Sequence, residues 1–303
     1  MIERIVEIAE DNRHLSLYRG FLMVHETGPQ RREVGRVPLE DIGAVIAHSH
    51  GLSYSNNVLV ALAEKGAPFV LCGSHHNVVG MLWPVDGNFQ QAKRMDAQLA
   101  ATKPLQKQLW ASIVRIKLLQ QAAVLDASGK PSKPLTALAN KVRSGDIGNL
   151  EAQGARRYWK LLMGESFRRD TAGGGINSLL NYGYTVYRAA TARAVVAAGL
   201  HPTLGIHHSN EGNPMRLVDD LIEPFRPLVD WQVFRLVHAD PEVALTAECK
   251  RTLAMSLYQD LQTVAGATPV MVCMQRLAVS LAQSYLTKLC DLAFPMPGVS
   301  LDA

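Results

Sequence analysis

Charge is sparse in this chain, cysteine is sparser, and no repeat, low-complexity tract or long apolar run is present. Charged side chains make up 19% of the 303 residues and hydrophobic ones 48%, which excludes the polar excess of a disordered chain and leaves ample material for a buried core. The four cysteines, Cys72, Cys249, Cys273 and Cys290, lie far apart with no C-x-x-C pair. That spacing argues against a zinc ribbon or a disulfide framework and leaves them as reduced core residues. No stretch reaches the roughly 18 uninterrupted apolar residues of a membrane span. The opening MIERIVEIAED is charged throughout and lacks the apolar segment of a signal peptide. A cytoplasmic protein with no membrane partner is expected, long enough for two domains.

The modest net charge of +4 conceals a regional imbalance. Between Lys93 and Asp170 there are 15 Lys and Arg against 6 Asp and Glu, a balance of +9, while the rest of the chain is mildly acidic. Such a segment is the footprint expected of binding to a phosphate backbone, although solvated helix faces also gather Lys and Arg.

The pattern of apolar residues changes once along the chain. Up to about residue 85, short β-branched runs (RIVEIAED, HLSLYRGFLMVHE, DIGAVIAH, APFVLCG, NVVGMLWPV) are separated by Gly, Asn, Asp and Pro, with Arg19-Gly20 placed to turn a hairpin. SNNVLVALAEKG interrupts them with helical spacing, a possible Asn cap and Gly66 at its end. Pro84 to Asn88 reads as a linker. Beyond it LQKQLWASIVRIKLLQQAAVL, INSLLNYGYTVYRAATARAVVAAGL, ALTAECKRTLAMSLYQDLQT and TPVMVCMQRLAVSLAQSYLTKLCDLAF all have helical spacing, and TAGGGINS reads as a flexible connection. The fold class is therefore α+β: a small N-terminal β-rich domain, residues 1–87, and a larger, mostly α-helical domain, residues 88–303.

Ligand-type side chains collect in LGIHHSNEGNPMRLVDDLIEPFRPLVD, residues 204–230. On a helix either Asp219 or Asp220 projects beside Glu223, and two carboxylates that close require a cation between them, either a metal or an arginine such as Arg216 or Arg226. His207 and His208 offer imidazole, but adjacent side chains diverge, so only one is expected at a shared centre. Pro224 should stop or kink the helix after Glu223. A further carboxylate, Glu151, follows Asn149, a plausible N-cap, and precedes Arg156, Arg157 and Lys160. The helix dipole alone accounts for an acid in that first turn; the cations behind it fit an acid working next to DNA.

GNLEAQGARRYW, INSLLNYGYTVYRAATARAVVAAGLHPTLGIHH and VDDLIEPFRPLVD, in this order, resemble the CRISPR-associated adaptation integrases, the Cas-one family. HLSLYRGFLMVHE, PLEDIGAVIAH, SNNVLVALAEKGAPFVLCG and GMLWP are similar to that family's β-domain. The form HHSNEGNPMRLVDDLIEPFRP is most similar to the branch found beside single-protein RNA-guided effector nucleases. The resemblance implies that Glu151, His208 and Glu223 are the catalytic residues and bind one divalent metal, with His207 at a variable position and the role of Asp220 open. Carboxylate oxygens with one imidazole suit Mg²⁺ or Mn²⁺ better than Zn²⁺. The implied activity is that of a DNA endonuclease and integrase in which the 3′-hydroxyl of a captured foreign fragment attacks a phosphodiester at a CRISPR repeat. The implied partners are double-stranded DNA, a second copy in a homodimer and a small second adaptation protein of the Cas-two type. Two other readings stand beside it: a non-catalytic DNA scaffold, and a zinc hydrolase, for which H-E-x-x-H is missing.

Overall fold

The structure is a computed structural model that describes residues 4–28, 31–73, 78–82, 84, 85, 88 and 90–301. Asp86 and Gly87 of the expected linker, and Asn77 and Trp83 of the last expected strand run, lie outside the described residues. The chain divides into two compact units, residues 1–89 and 90–303.

In the first unit the β-branched runs form two sheets. Strands β1 (Arg4–Ile8), β5 (Ile42–Ala47), β7 (Phe69–Cys72) and β8 (Val78–Leu82) lie in the order β1-β5-β7-β8, parallel except for β8. Strands β2 (Arg13–Tyr18), β3 (Phe21–Glu26), β4 (Glu33–Pro38) and β6 (Ser53–Tyr54) lie in the order β4-β3-β2-β6. The β2–β3 hairpin turns at Arg19 and Gly20, whose φ values of 47° and 80° give the twist that a two-residue turn between antiparallel strands needs. Helix α1 (Asn56–Lys65) buries Val58 and Leu62 in a core shared with Leu15, Leu22, Ile42, Val45 and Phe69. Gly66 ends it at φ 76°, as expected. The cap differs: Ser55, not an asparagine, precedes the helix and makes no side-chain cap bond.

The second unit contains α2 (Gln91–Leu99), α3 (Lys103–Ala127), α4 (Lys133–Ala139), α5 (Leu150–Met163), α6 (Ile176–Ala197), α7 (Arg216–Leu221), α8 (Arg226–Ala239), α9 (Ala247–Met255) and α10 (Val270–Thr287). Helix α3 is capped by Thr102, whose hydroxyl accepts the Leu105 N–H, and carries Pro104 in its first turn. Its buried positions, among them Leu109, Ile113, Val114, Leu118 and Leu125, spread around the cylinder, so it is a central helix with α4, α5 and α8 packed on it. Full burial of each such side chain stabilises the unit by about 1.5–3 kcal/mol. Helix α6 is the second axis, packed by α7, α8, α9 and α10. Close approach of α5 to α3 depends on Gly154, where a Cβ would overlap Leu118 Cδ2.

Two expected segments fold differently. ALTAECKRTLAMSLYQDLQT is helical only to Met255; a 3₁₀ turn follows, and Asp260–Thr263 (β9) pairs with Gly266–Pro269 (β10). Gln259 is extended, Gly266 adopts φ 95°, and the Thr263 hydroxyl donates to the Gly266 carbonyl, which closes the hairpin that helical spacing concealed. TAGGGINS is tied down: the Arg169 guanidinium donates to Asn177 and Asn181, and those amides donate to the carbonyls of Arg168 and Thr171. Among the described residues no helix is long and apolar enough to cross a membrane.

Candidate metal centre

Each ligand candidate is placed by its own local device. Glu151 lies in the first turn of α5, as expected, but Asn149 does not cap that helix: it is left-handed (φ 48°, ψ 47°) and makes no side-chain cap bond. The buried Asp146 does so instead, accepting the N–H groups of Leu150 at 2.9 Å and Glu151 at 3.0 Å. A left-handed residue cannot present its side chain to the first amides as an extended cap residue does, so the turn reaches back to the preceding acid.

Glu223 and Asp220 do not share a helical face around one cation. Helix α7 ends at Leu221, two residues before Glu223, and the two carboxylates take different partners. Asp220 is fully buried and accepts the backbone N–H groups of Ile206 (2.6 Å), His207 (3.1 Å) and His208 (3.2 Å), with His208 Nδ1 2.7 Å away. It is thus a loop anchor whose oxygens are already committed. Gly205 makes room for this arrangement: a Cβ there would stand 2.7 Å from the His208 carbonyl oxygen and 3.1 Å from Asp220 Oδ2. Asp219 pairs with Arg188 (2.7 Å) rather than with Arg216.

The two histidines diverge, with ring centroids 6.0 Å apart and planes at 76°. His207 stacks on the buried Trp110 of α3 at 4.2 Å and 3°. A carboxylate can only accept, so His208 Nδ1 carries the proton, and in the neutral ring Nε2 is the nitrogen with the free lone pair. The Asp220 hydrogen bond raises the His208 pKa above its ordinary value against partial burial, and Glu223 adds to the rise through its charge.

Sequence reasoning missed the residue at the centre. Lys117, on α3 and 7% exposed, donates to Glu151 and lies 2.5 Å from Glu223 Oε2. Burial would lower its pKa, but Glu223 and Glu151 outweigh that and raise it. Glu223 is also held by Arg226 at 2.9 Å; burial would raise its pKa, yet Lys117 and Arg226 bring it down to about 2. The available signal was phase: Lys117 falls on the α3 pattern of Ile113, Val114 and Gln121, where a charge is out of place unless it is paired. Among the described residues no three acidic, histidine or cysteine side chains stand together as a metal-holding group. The donor chemistry fits a divalent ion nonetheless, because Glu151 and Glu223 already converge on one cation.

Behind this cluster Asp230 is buried and accepts the Tyr184 hydroxyl, and Arg226 lies 4.8 Å over the Tyr184 ring. Burial pushes Asp230 from 3.8 up to about 7, with Tyr184 and Tyr158 opposing. A raised carboxyl stabilises the fold most below its unfolded value and loses that contribution as pH climbs toward 7, whereas Glu223, held low, loses its contribution as pH falls from 4.5 toward 2. Asp230→Asn, which mimics the protonated acid, is expected to flatten the decline of Tm between about pH 4 and 7. A slope equal to the parent's would contradict this.

The basic segment is only partly available to a ligand. Lys117 serves the site, and Arg94 is buried with its guanidinium on the Ala198 carbonyl. Arg156, Arg157 and Lys160 are exposed on α5 and, with Gln153, line a depression of about 360 Å³.

The fold, a β unit followed by a larger helical unit, is shared with solved structures. The casposase bound to integration product matches at TM-score 0.83 and 17% identity, over 99% of this chain and 95% of that one. A chain of the Cas6-RT-Cas1–Cas2 complex matches at TM-score 0.77 and 16% identity, over 98% of this chain and 36% of that one. The sequence is more specific. Residues 6–242 match the family described as CRISPR associated protein Cas1, and the chain is 41% identical over 247 residues to the CRISPR-associated endonuclease Cas1 of Neisseria meningitidis serogroup C, covering 80% of each. The chain belongs to the CRISPR-associated Cas1 family.

Proposed function

We propose that this protein is a metal-dependent DNA endonuclease and integrase that inserts captured foreign fragments into a CRISPR array. One observation carries the reading: Glu151 and Glu223 converge on a single cation position, that of the Lys117 ammonium. Glu151, His208 and Glu223 would hold Mg²⁺ or Mn²⁺. The ion would polarise a phosphodiester and stabilise charge on the displaced oxygen. Asp220 keeps the imidazole oriented, Arg226 keeps Glu223 ionised, and Arg156 and Arg157 of the helix that begins near Glu151 hold backbone phosphates. The 3′-hydroxyl oxygen of the fragment bonds to the phosphorus at the repeat's 5′ edge while the bond from that phosphorus to the 3′-oxygen of the flanking nucleotide breaks. The hydroxyl's proton passes to the displaced oxygen through solvent, so bonds balance without an energy source.

The partners follow as part of the same reading. Likeness to a chain of the Cas6-RT-Cas1–Cas2 complex supports a small Cas2-type partner, and in this reading the β unit meets that partner and a second copy in a cytoplasmic homodimer. The HHSNEGNPMRLVDDLIEPFRP form resembles that of the branch encoded beside a single-protein effector nuclease, and in this reading that effector's gene is expected next to this one.

A non-catalytic DNA scaffold is the second reading, and the ion pairs of Lys117 and Arg226 with the site carboxylates are what favour it. An integration assay separates the two. With a labelled fragment, a repeat-bearing plasmid and the partner protein, covalent joining is expected with Mg²⁺ or Mn²⁺ and is lost when the fragment's 3′-hydroxyl is removed. Retention of DNA without any joining would leave the scaffold. The zinc reading gains no support, since the His207 ring is stacked on Trp110.

A further inference from the structure

Lys117 occupies the place between Glu151 and Glu223 where the proposed function puts a divalent ion. Two carboxylates so near each other are unfavourable without a cation, and a buried ammonium is unfavourable without acids, so each half of the cluster requires the other. The rest of α3 offers the ammonium a second position. Gln121, one turn along the same face, has a buried side-chain oxygen with no hydrogen-bond partner. That oxygen faces α5 at Gly154, where a Cβ would lie 3.6 Å from it. A lysine has the length and rotamer freedom to exchange one acceptor for another.

We propose that Lys117 is a built-in counter-cation of this centre: it holds Glu151 and Glu223 together in the ion-free protein, and it withdraws from between them, toward Gln121, when a divalent ion enters. The inference rests on the metal-site reading above. Loading is then an exchange of cations rather than the filling of an open site, and Lys117 is a positioning residue that sets how tightly the ion is held.

The test is Mn²⁺ binding to the full-length protein, followed by electron paramagnetic resonance, together with thermal melting in chelator, for the parent, Lys117→Met, Lys117→Arg and Glu151→Gln. Lys117→Met is expected to melt below the parent in chelator, to be raised more by Mn²⁺, and to bind Mn²⁺ at least about tenfold more tightly, because no buried ion pair has to be broken first. Lys117→Arg keeps the charge and the fold, and should bind no more tightly than the parent. It carries the test if the methionine variant does not fold: tightening in Lys117→Arg, where the competing charge is retained, would overturn the proposal. Equal Mn²⁺ affinity in parent and Lys117→Met, lost in Glu151→Gln, would overturn the role of Lys117 while leaving the metal site intact. Absence of Mn²⁺ binding in every variant would overturn both.

Discussion

His208→Ala is expected to abolish strand transfer, while His207→Ala retains most of it. The asymmetry rests on geometry: His208 is oriented through Nδ1 and leaves Nε2 free, whereas the His207 ring lies flat on Trp110. Removing an orienting partner at a metal site costs roughly 10–100-fold in affinity or activity, and loss of the ligand itself exceeds that. His207→Ala forfeits a stacked contact worth about 0.5–1.5 kcal/mol, so its effect should appear in the melting temperature rather than in the rate of joining. Rates measured for the two variants side by side decide the matter. Equal losses would mean that the imidazoles act as a pair or that the ligand is the other one.

The largest effect on stability is expected at Asp220. Its fully buried carboxylate is the acceptor for three consecutive backbone N–H groups and lies against a half-buried imidazole. Each buried donor left without a partner costs about 1–3 kcal/mol, so Asp220→Ala should destabilise the helical unit by roughly 3 kcal/mol or more and release the 205–208 loop. Asp220→Asn keeps one acceptor oxygen and should fall between. Chemical denaturation followed by circular dichroism reads the difference, and an alanine variant as stable as the parent would show that water takes over the anchoring.

The reach of sequence reasoning differs between the two units. Alternating β-branched runs, the Arg19-Gly20 turn and the Gly66 stop are local signals, and each specified its element. At the centre, residue types were legible and their partners were not. The Asp-Asp-x-x-Glu spacing implies a shared face only if the helix continues, and α7 ends too early for that. What directs Asp220 toward the histidine loop is a set of backbone amides, which have no letter in a sequence. Asn149 satisfied the composition rule for a cap, but its left-handed backbone passed the task to Asp146. Lys117 stands 34 positions from Glu151 along the chain and 106 from Glu223, and only packing of α3 against α5 and the turn after α7 brings the three together.

Helix α3 touches every segment that carries a candidate ligand: Trp110 meets the histidine loop, Lys117 meets both glutamates, and Leu118 fills the space left by Gly154 of α5. The ligands are therefore surveyed from a single baseline. Three separate loops would loosen independently, each at its own free energy, whereas segments gauged against one rigid rod move with it or not at all. A tilt of that rod, from strain applied at either end, would detune all of the donors at once, so the centre answers to distant loads as a single instrument rather than as three.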